Sequence, residues 1–473
     1  MKAHKKPLWT IRLFGVFAAL AAFAFLGETA RAQGFGIYEQ STCAMGRAET
    51  AVALPCDDGS AVFYNPAGLV GRRGLTLGGG VTLVVADGDF TDDATGAVTK
   101  LQNDPIPAPH AYAVYGFSDR FAAGLGVYVP YGLDTVWPAD FDGAFLGYDN
   151  GLNTVYVQPT LAYRLNERVT VGGGLTVAIG SVNLRRRLDL STQPVPGLPP
   201  GTTFAQLGIP FHTAFADARL DASGATGVGA NVGALLRLTD RLNLGLRYLS
   251  SIKLDYDGDA RFEAVPTGIQ LPAGNPFGLP AGTPLDAVLQ GAGLFGDGGL
   301  LSDQGVRTSI EMPAQFVAGV SYAASDRLTV LADLQWTQWS KFDEIDLRFD
   351  NPALNSVQVE NYDDTIGIRV GTQYAASERL TLRLGYLFNQ AAAPDETVTP
   401  LLPEADRNHV TAGFTWQASP RFAVNVAYQY LGQKERAGRV REPEPGQPAT
   451  TALNSGVYHF RGHLFGATLT VHL

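Results

Sequence analysis

Residues 379–389 read RLTLRLGYLFN, and the reading of this stretch decides the architecture. Leu380, Leu382, Leu384, Tyr386 and Phe388 fall on one face of an extended chain, while Thr381, Arg383, Gly385 and Asn389 fall mainly on the other. A half-buried strand of a soluble sheet alternates too. Here the polar face carries arginine and glycine instead of a solvated mixture of lysine and glutamate. The stretches RLNLGLRYL from Arg241 and TIGIRVGTQY from Thr365 repeat the pattern. Such strands suit a wall with lipid on its apolar side and a lumen on the other.

Outward from these strands lie short turns built to one formula: a small polar residue, an acidic residue or proline, an arginine, then an apolar residue. They are SDRF at Ser118, NERV at Asn166, TDRL at Thr239, SDRL at Ser325, SERL at Ser377 and SPRF at Ser419. Each joins two alternating segments as a hairpin does. Six hairpins supply twelve strands, and one strand before the first and one after the last make fourteen. An even number of antiparallel strands closes a bacterial outer-membrane barrel. Aromatic residues stand at fixed offsets from the turns: Tyr115, Tyr163, Tyr322, Tyr374 and Trp416 before them, Tyr248, Tyr386 and Tyr428 after them. Two such rows read as the girdles at the membrane interfaces. A soluble β-sandwich, the alternative, has no need of rings at a constant distance from one set of turns. The opposite connections, Ser191–Pro210, Ala264–Gly305 and Gln433–Ser455, are long and rich in Gly and Pro, as outer loops are.

The first residues agree with export. Lys2, Lys5 and Lys6, an apolar run from Leu13 to Leu26, and Ala30-Arg31-Ala32 form a secretory signal over residues 1–32, so the exported chain is expected to start near Gln33. The apolar run is too short for an easy transmembrane helix. A net charge of −10 argues against nucleic-acid binding. Two cysteines, Cys43 and Cys56, could form one bridge in an oxidising compartment or remain free thiols.

Residues 33–73 do not alternate and are too few to form a core alone. The simplest place for them is inside the barrel formed by residues 74–473, as a small plug. Within them, Asn65 as cap and Pro66 as first helical residue read as a stiff corner. The alternative is a surface turn before the first strand.

At this point the chain resembles the FadL family of outer-membrane channels for long-chain fatty acids and other hydrophobic compounds. The resemblance is carried by GFGIYEQS at Gly34, MGRA at Met45, Asp57-Asp58, NPAGL at Asn65, VPYGLDTVW at Val129, PTLAYRLNERVTVGGGL at Pro159 and WTQWSKF at Trp336, in that order. It implies an all-β fold, a fourteen-stranded antiparallel transmembrane barrel with an amino-terminal hatch in its lumen. It further implies that Asn65, Pro66 and Ala67, with Asp57 and Asp58 nearby, belong to the hatch and gating region. The Asn-Pro-Ala segment would touch a kink in the third strand at Val129, Pro130, Tyr131 and Gly132, where ligand leaves sideways into the membrane. Proline cannot donate to the ladder and glycine relaxes it, which makes this a credible break; the alternative is that Pro130 simply ends the strand.

The resemblance places Phe35 and Ile37 at an inner ligand pocket. Arg185 and Arg187 of NLRRRLDL, and Lys341 beyond WTQW, are candidate cations for a ligand carboxylate. The alternative is that they face lipopolysaccharide or pair with Asp189 and Asp343. Arg247, Arg369 and Arg383 read as lumenal wall charges. G-x-S-x-G and H-E-x-x-H are absent, and His459 and His463 have no evident acidic or serine partner, so no enzyme, cofactor or metal is called for. An outer-membrane lipase, which needs only Ser and His on a barrel face, is the enzymatic alternative. The expected function is monomeric, passive uptake of hydrophobic small molecules, fatty acids or aromatic hydrocarbons, through a barrel in contact with outer-membrane lipid. A general porin or structural barrel is the competing reading.

Overall fold

Each short turn is closed by its own first residue. In the computed structural model, Ser118 Oγ accepts from the N–H groups of Arg120 and Phe121 at 3.2 and 3.1 Å. Asn166 Oδ1, Thr239 Oγ1, Ser325 Oγ and Ser377 Oγ do the same two and three residues on, and Ser419 Oγ accepts from Arg421. That is why the formula begins with a short side chain bearing an oxygen.

The structure describes residues 34–473 except 196, 197, 200, 297, 445 and 446. The expected signal segment, residues 1–32, and Gln33 lie outside the described residues. Fourteen antiparallel staves form the wall. They are β1 (Gly74–Asp92), β2 (Ile106–Gly116), β3 (Phe121–Tyr128, resuming as Gly132–Val136), β4 (Asp149–Arg164), β5 (Val169–Asp189), β6 (Ala214–Arg237) and β7 (Leu242–Leu249, resuming as Ile252–Ala264). There follow β8 (Gln304–Met312, resuming as Gln315–Ala323), β9 (Leu328–Thr337), β10 (Thr365–Ala375), β11 (Leu380–Asn389), β12 (Arg407–Ser419), β13 (Phe422–Gln433) and β14 (Gly456–His472). The ring closes between β1 and β14, paired from Thr76 opposite His472 to Asp92 opposite Gly456. Closure removes the free edges that an open sheet would expose to lipid.

The eight girdle aromatics are all exposed, as rings at a lipid interface must be. β5 and β6 run for 21 and 24 residues, well beyond what a tilted stave needs to cross a bilayer, so this side of the wall projects past the membrane.

Residues 34–70 are hydrogen-bonded to staves all round the ring. Tyr112 of β2 donates to Gln40 O (2.8 Å), Gln158 of β4 to Val62 O (2.7 Å) and Asn231 of β6 to Phe63 O (2.9 Å). Asp333 of β9 accepts from Ala51 N–H (3.1 Å), Thr411 of β12 from Ala48 N–H (3.0 Å), and Gln429 of β13 donates to Glu39 (2.6 Å). The glycines on the lumenal faces now have a reason. A Cβ on Gly78 of β1 would lie 1.9 Å from Asp58 O, and one on Gly245 of β7 would lie 2.1 Å from Val52 O. Backbone meets backbone there, and only glycine leaves room. Arg247 and Arg369, both buried, place their guanidinium groups over the rings of Phe63 and Tyr38 at 4.3 and 4.7 Å, so these wall charges grip the segment through its aromatic residues.

The acidic pair divides. Asp58 is buried and accepts from Ser41 Oγ and Ser60 Oγ, both at 2.5 Å, tying two turns of the segment together. Asp57 is exposed and pairs with Arg72 at 2.9 Å. Cys43 and Cys56 form a disulfide beside this knot. Asn65 caps the turn Pro66–Leu69 by accepting from Ala67 N–H, with Pro66 as its first residue.

Candidate functional site

The third stave does not end at Pro130. It breaks there and resumes, and the two parts have different neighbours. Phe121–Tyr128 is paired with β4 on one side, and Ala122–Val127 with β2 on the other. Gly132–Val136 pairs with Asp149–Asn153 of β4 only. Across from it, Ile106–His110 of β2 pairs with Gly80–Val84 of β1 only. Among the described residues no ladder joins these two edges to each other, which leaves an opening in the pairing from Pro130 to the level of Gln102, whose N–H reaches Val136 O at 2.7 Å.

The inner side of this opening is occupied by the start of the described chain. Ile37 N–H donates to Pro130 O (2.8 Å) and Gly132 N–H to Phe35 O (2.7 Å), so Phe35–Ile37 acts as a short substitute strand. Gln40 completes it with its side chain: Nε2 donates to Val129 O (2.7 Å) and Oε1 accepts from Val129 N–H (3.1 Å). The amide thus imitates the missing ladder neighbour. Ile37 packs with Val84, Ile106, Ala108 and Val129 around the gap.

The resemblance implied that Asn65, Pro66 and Ala67 would touch the kink. They lie elsewhere: a Cβ on Gly172 of β5 or Gly233 of β6 would strike Pro66 or Asn65, and Asn65 Nδ2 donates to Ala234 O at 3.1 Å. The kink is held by residues 35–40. Sequence reading missed Gln40, because nothing local distinguishes a glutamine that will pair with a residue 89 positions away.

Phe35 is fully buried, with its ring against Trp339 (4.8 Å), Phe342 (5.0 Å) and Tyr131 (6.2 Å). It forms one wall of an apolar cavity with Leu133, Leu184, Leu220, Phe342 and Leu401. Tyr256 and Thr308 also line it, and their hydroxyls are buried without a hydrogen-bond partner. An apolar slot with a few unanswered polar atoms suits an amphipathic or apolar ligand. From WTQWSKF it is Trp339 and Phe342 that reach Phe35, whereas Lys341 points to Glu311 at 3.9 Å.

The structure does not bring Arg185 and Arg187 into this cavity. They alternate with Leu184 on β5 and sit on the other face. Arg187 is 2.8 Å from Asp217, Arg185 is 3.7 Å from Asp149, and both lie over the ring of Tyr148, whose hydroxyl donates to Asp217. The fold also supplies the acidic partner that sequence withheld from His459, namely Asp89 at 2.9 Å.

Comparison with known proteins bears on these features together. The pattern of the family described as "Outer membrane protein transport protein (OMPP1/FadL/TodX)" matches residues 23–472. The "Long-chain fatty acid transport protein" of Escherichia coli O6:H1 is 26% identical over 432 residues, covering 89% of this chain and 92% of its own. Among solved structures, a Pseudomonas aeruginosa FadL homologue superposes with a TM-score of 0.76 at 21% identity, over 93% of this chain and all of the other. The Pseudomonas putida toluene transporter TodX superposes with a TM-score of 0.63 at 19% identity, covering 93% and 99%.

Proposed function

The chain belongs to the OMPP1/FadL/TodX family of outer-membrane transport proteins, and on that premise we propose that it is a passive channel delivering hydrophobic molecules sideways into the membrane. Ligand enters past the outer loops, rests in the cavity beside Phe35, and leaves through the opening between β2 and β3. The amino-terminal segment acts as the hatch, with Phe35–Gln40 as its moving edge.

The observation that carries this reading is the opening itself, bounded by Ile106–His110 and Gly132–Val136 and held in part by Phe35, which also borders the cavity. Unpaired strand edges at membrane depth are costly, and costs of this kind concentrate at functional sites. A sideways route also suits the cargo. An acyl chain loses roughly 0.8 kcal/mol per methylene on entering water, so passing from an apolar slot to lipid avoids a cost that a watery pore would impose. The relatives' names supply the two candidate classes, long-chain fatty acids and monoaromatic hydrocarbons such as toluene.

The test is uptake of radiolabelled oleate, and separately of toluene, by Gram-negative cells that lack their own transporter and express this chain or its Pro130→Ala variant. Saturable uptake of at least one compound is expected, reduced several-fold when the alanine N–H can join a straightened ladder. Ion conductance without saturable uptake, from a correctly assembled barrel, would favour the general porin instead.

A further inference from the structure

The Phe35 cavity has a polar side that its apolar walls do not explain. Tyr256 of β7 and Thr308 of β8 stand directly opposite each other in the ladder, and both line the cavity. Gly180 of β5 makes room for the tyrosine, since a Cβ there would come within 2.5 Å of its hydroxyl. Tyr256 is 2% exposed, and neither hydroxyl has a hydrogen-bond partner in the protein. Buried hydroxyls left in this way are costly until a ligand answers them.

A third atom narrows the chemistry. Asn150 of β4, 3% exposed, lines the same cavity. Thr135 Oγ1 gives its only proton to Leu401 O (3.0 Å) and therefore accepts from Asn150 Nδ2 (3.1 Å). That fixes the amide, and its Oδ1, buried and unpartnered, is left as a pure acceptor. A ligand group that answers Asn150 has to donate a proton, whereas the two hydroxyls can donate or accept. A neutral hydroxyl does both. Charge points the same way. Among the described lining residues the one charged side chain is Asp221, which pairs with Arg219 at 2.6 Å. An ionised ligand would lose its water here and meet no cation in return.

We infer that the Phe35 cavity selects neutral, hydroxyl-bearing hydrophobic molecules, phenols or fatty alcohols, over plain hydrocarbons and over ionised acids. Tyr256, Thr308 and Asn150 form its hydrogen-bonding side, and Phe35, Leu133 and Phe342 take the apolar body of the ligand. This rests on the channel function proposed above and narrows its cargo, because the relatives' names supply an acid and a hydrocarbon and the cavity is built for neither end group.

The experiment measures binding of radiolabelled p-cresol, toluene and p-toluate, which differ at a single ring position, to the full barrel in detergent at pH 7. Equilibrium dialysis against protein-free micelles supplies the blank, and heat-modifiable gel migration checks assembly of each protein. Wild-type protein should bind p-cresol tightest, toluene less and p-toluate least. Tyr256→Phe combined with Thr308→Val keeps the shape of both side chains and deletes both hydroxyls. It should weaken p-cresol about three- to tenfold and leave toluene unchanged. If the double variant fails to assemble, the wild-type order of the three compounds decides. Equal binding of p-cresol and toluene by the wild type, p-toluate bound as tightly as p-cresol, or a p-cresol preference unchanged in the double variant overturns the selection while leaving the channel intact. Wild-type protein that binds none of the three overturns the channel and the selection together.

Discussion

The two halves of β3 are one stave under two sets of conditions. The half nearer the short turns, Phe121–Tyr128, has wall neighbours on both sides, as a barrel strand in lipid requires. The half beyond Pro130 has a wall neighbour on one side only, and its break is held from within by residues 35–40. The lower half is held by the sheet, so nothing short of unfolding opens it. The upper half is bordered at its break by Phe35–Gln40 in place of a wall strand.

The sharpest way to break this contrast is to make the lumen too small for the segment. Gly245→Val should produce the largest effect. Its side chain would overlap Val52, whose carbonyl oxygen already lies 2.1 Å from an ideal Cβ, and neither backbone can yield cheaply. Overpacking of this kind costs about 1–3 kcal/mol or displaces the segment. Proteolysis of assembled barrels should then cut within residues 34–70, which the parent protects; unchanged protection would show that the lumen has slack.

Removal of the Cys43–Cys56 bridge should come next. Replacing both residues by serine frees the segment in its unfolded form and should lower stability by about 2–4 kcal/mol. The measurement is the midpoint of thermal denaturation with and without reductant. The parent midpoint should fall on reduction to that of the double variant, and a midpoint indifferent to reductant would mean that other contacts hold the knot at Asp58.

A smaller and more local effect is expected from Gln40→Ala. The substitution removes two hydrogen bonds to Val129, about 1–3 kcal/mol of local stability, and leaves the lower half of β3 untouched. Hydrogen exchange at Val129 should accelerate at least tenfold while exchange along Phe121–Tyr128 stays constant. Equal acceleration in both halves would abolish the distinction between them.

A last, pH-dependent effect concerns the connection between β9 and β10. Glu360 is buried just after the outer strand Ser356–Val359, and desolvation raises its carboxyl from 4.5 to about 8, opposed by its hydrogen bond from Gln358 and by Arg439. The folded state therefore holds the proton more tightly than the unfolded one. Its stabilising contribution is complete below pH 4.5 and is lost as pH rises through about 8. Outer loops should be more susceptible to protease at pH 9 than at pH 5, and Glu360→Gln should flatten that difference. A pH response unaffected by the substitution would place its origin elsewhere.

Much of the wall was legible because its causes are local. The period of two and the rows of tyrosine report constraints that lipid imposes strand by strand, and the oxygen-bearing first residue of each turn reports hydrogen bonds made within three residues. The site was legible only in part. Phe35 and Val129–Gly132 stood out through resemblance, but Arg185 and Arg187 were assigned to a ligand by charge alone, and alternation along β5 sends them to the face opposite Leu184, where Asp149 and Asp217 hold them. Gln40 carried no local mark, since its importance comes from what it meets across the fold.

By itself, the sequence determined the number of staves, their alternation and the short-turned rim. These follow from sterics and solvation within a few residues. Only the tertiary structure decided which segment borders the kink and where the ladder is left open. Those depend on contacts between residues scores to hundreds of positions apart, whose energies exist only once the ring has closed.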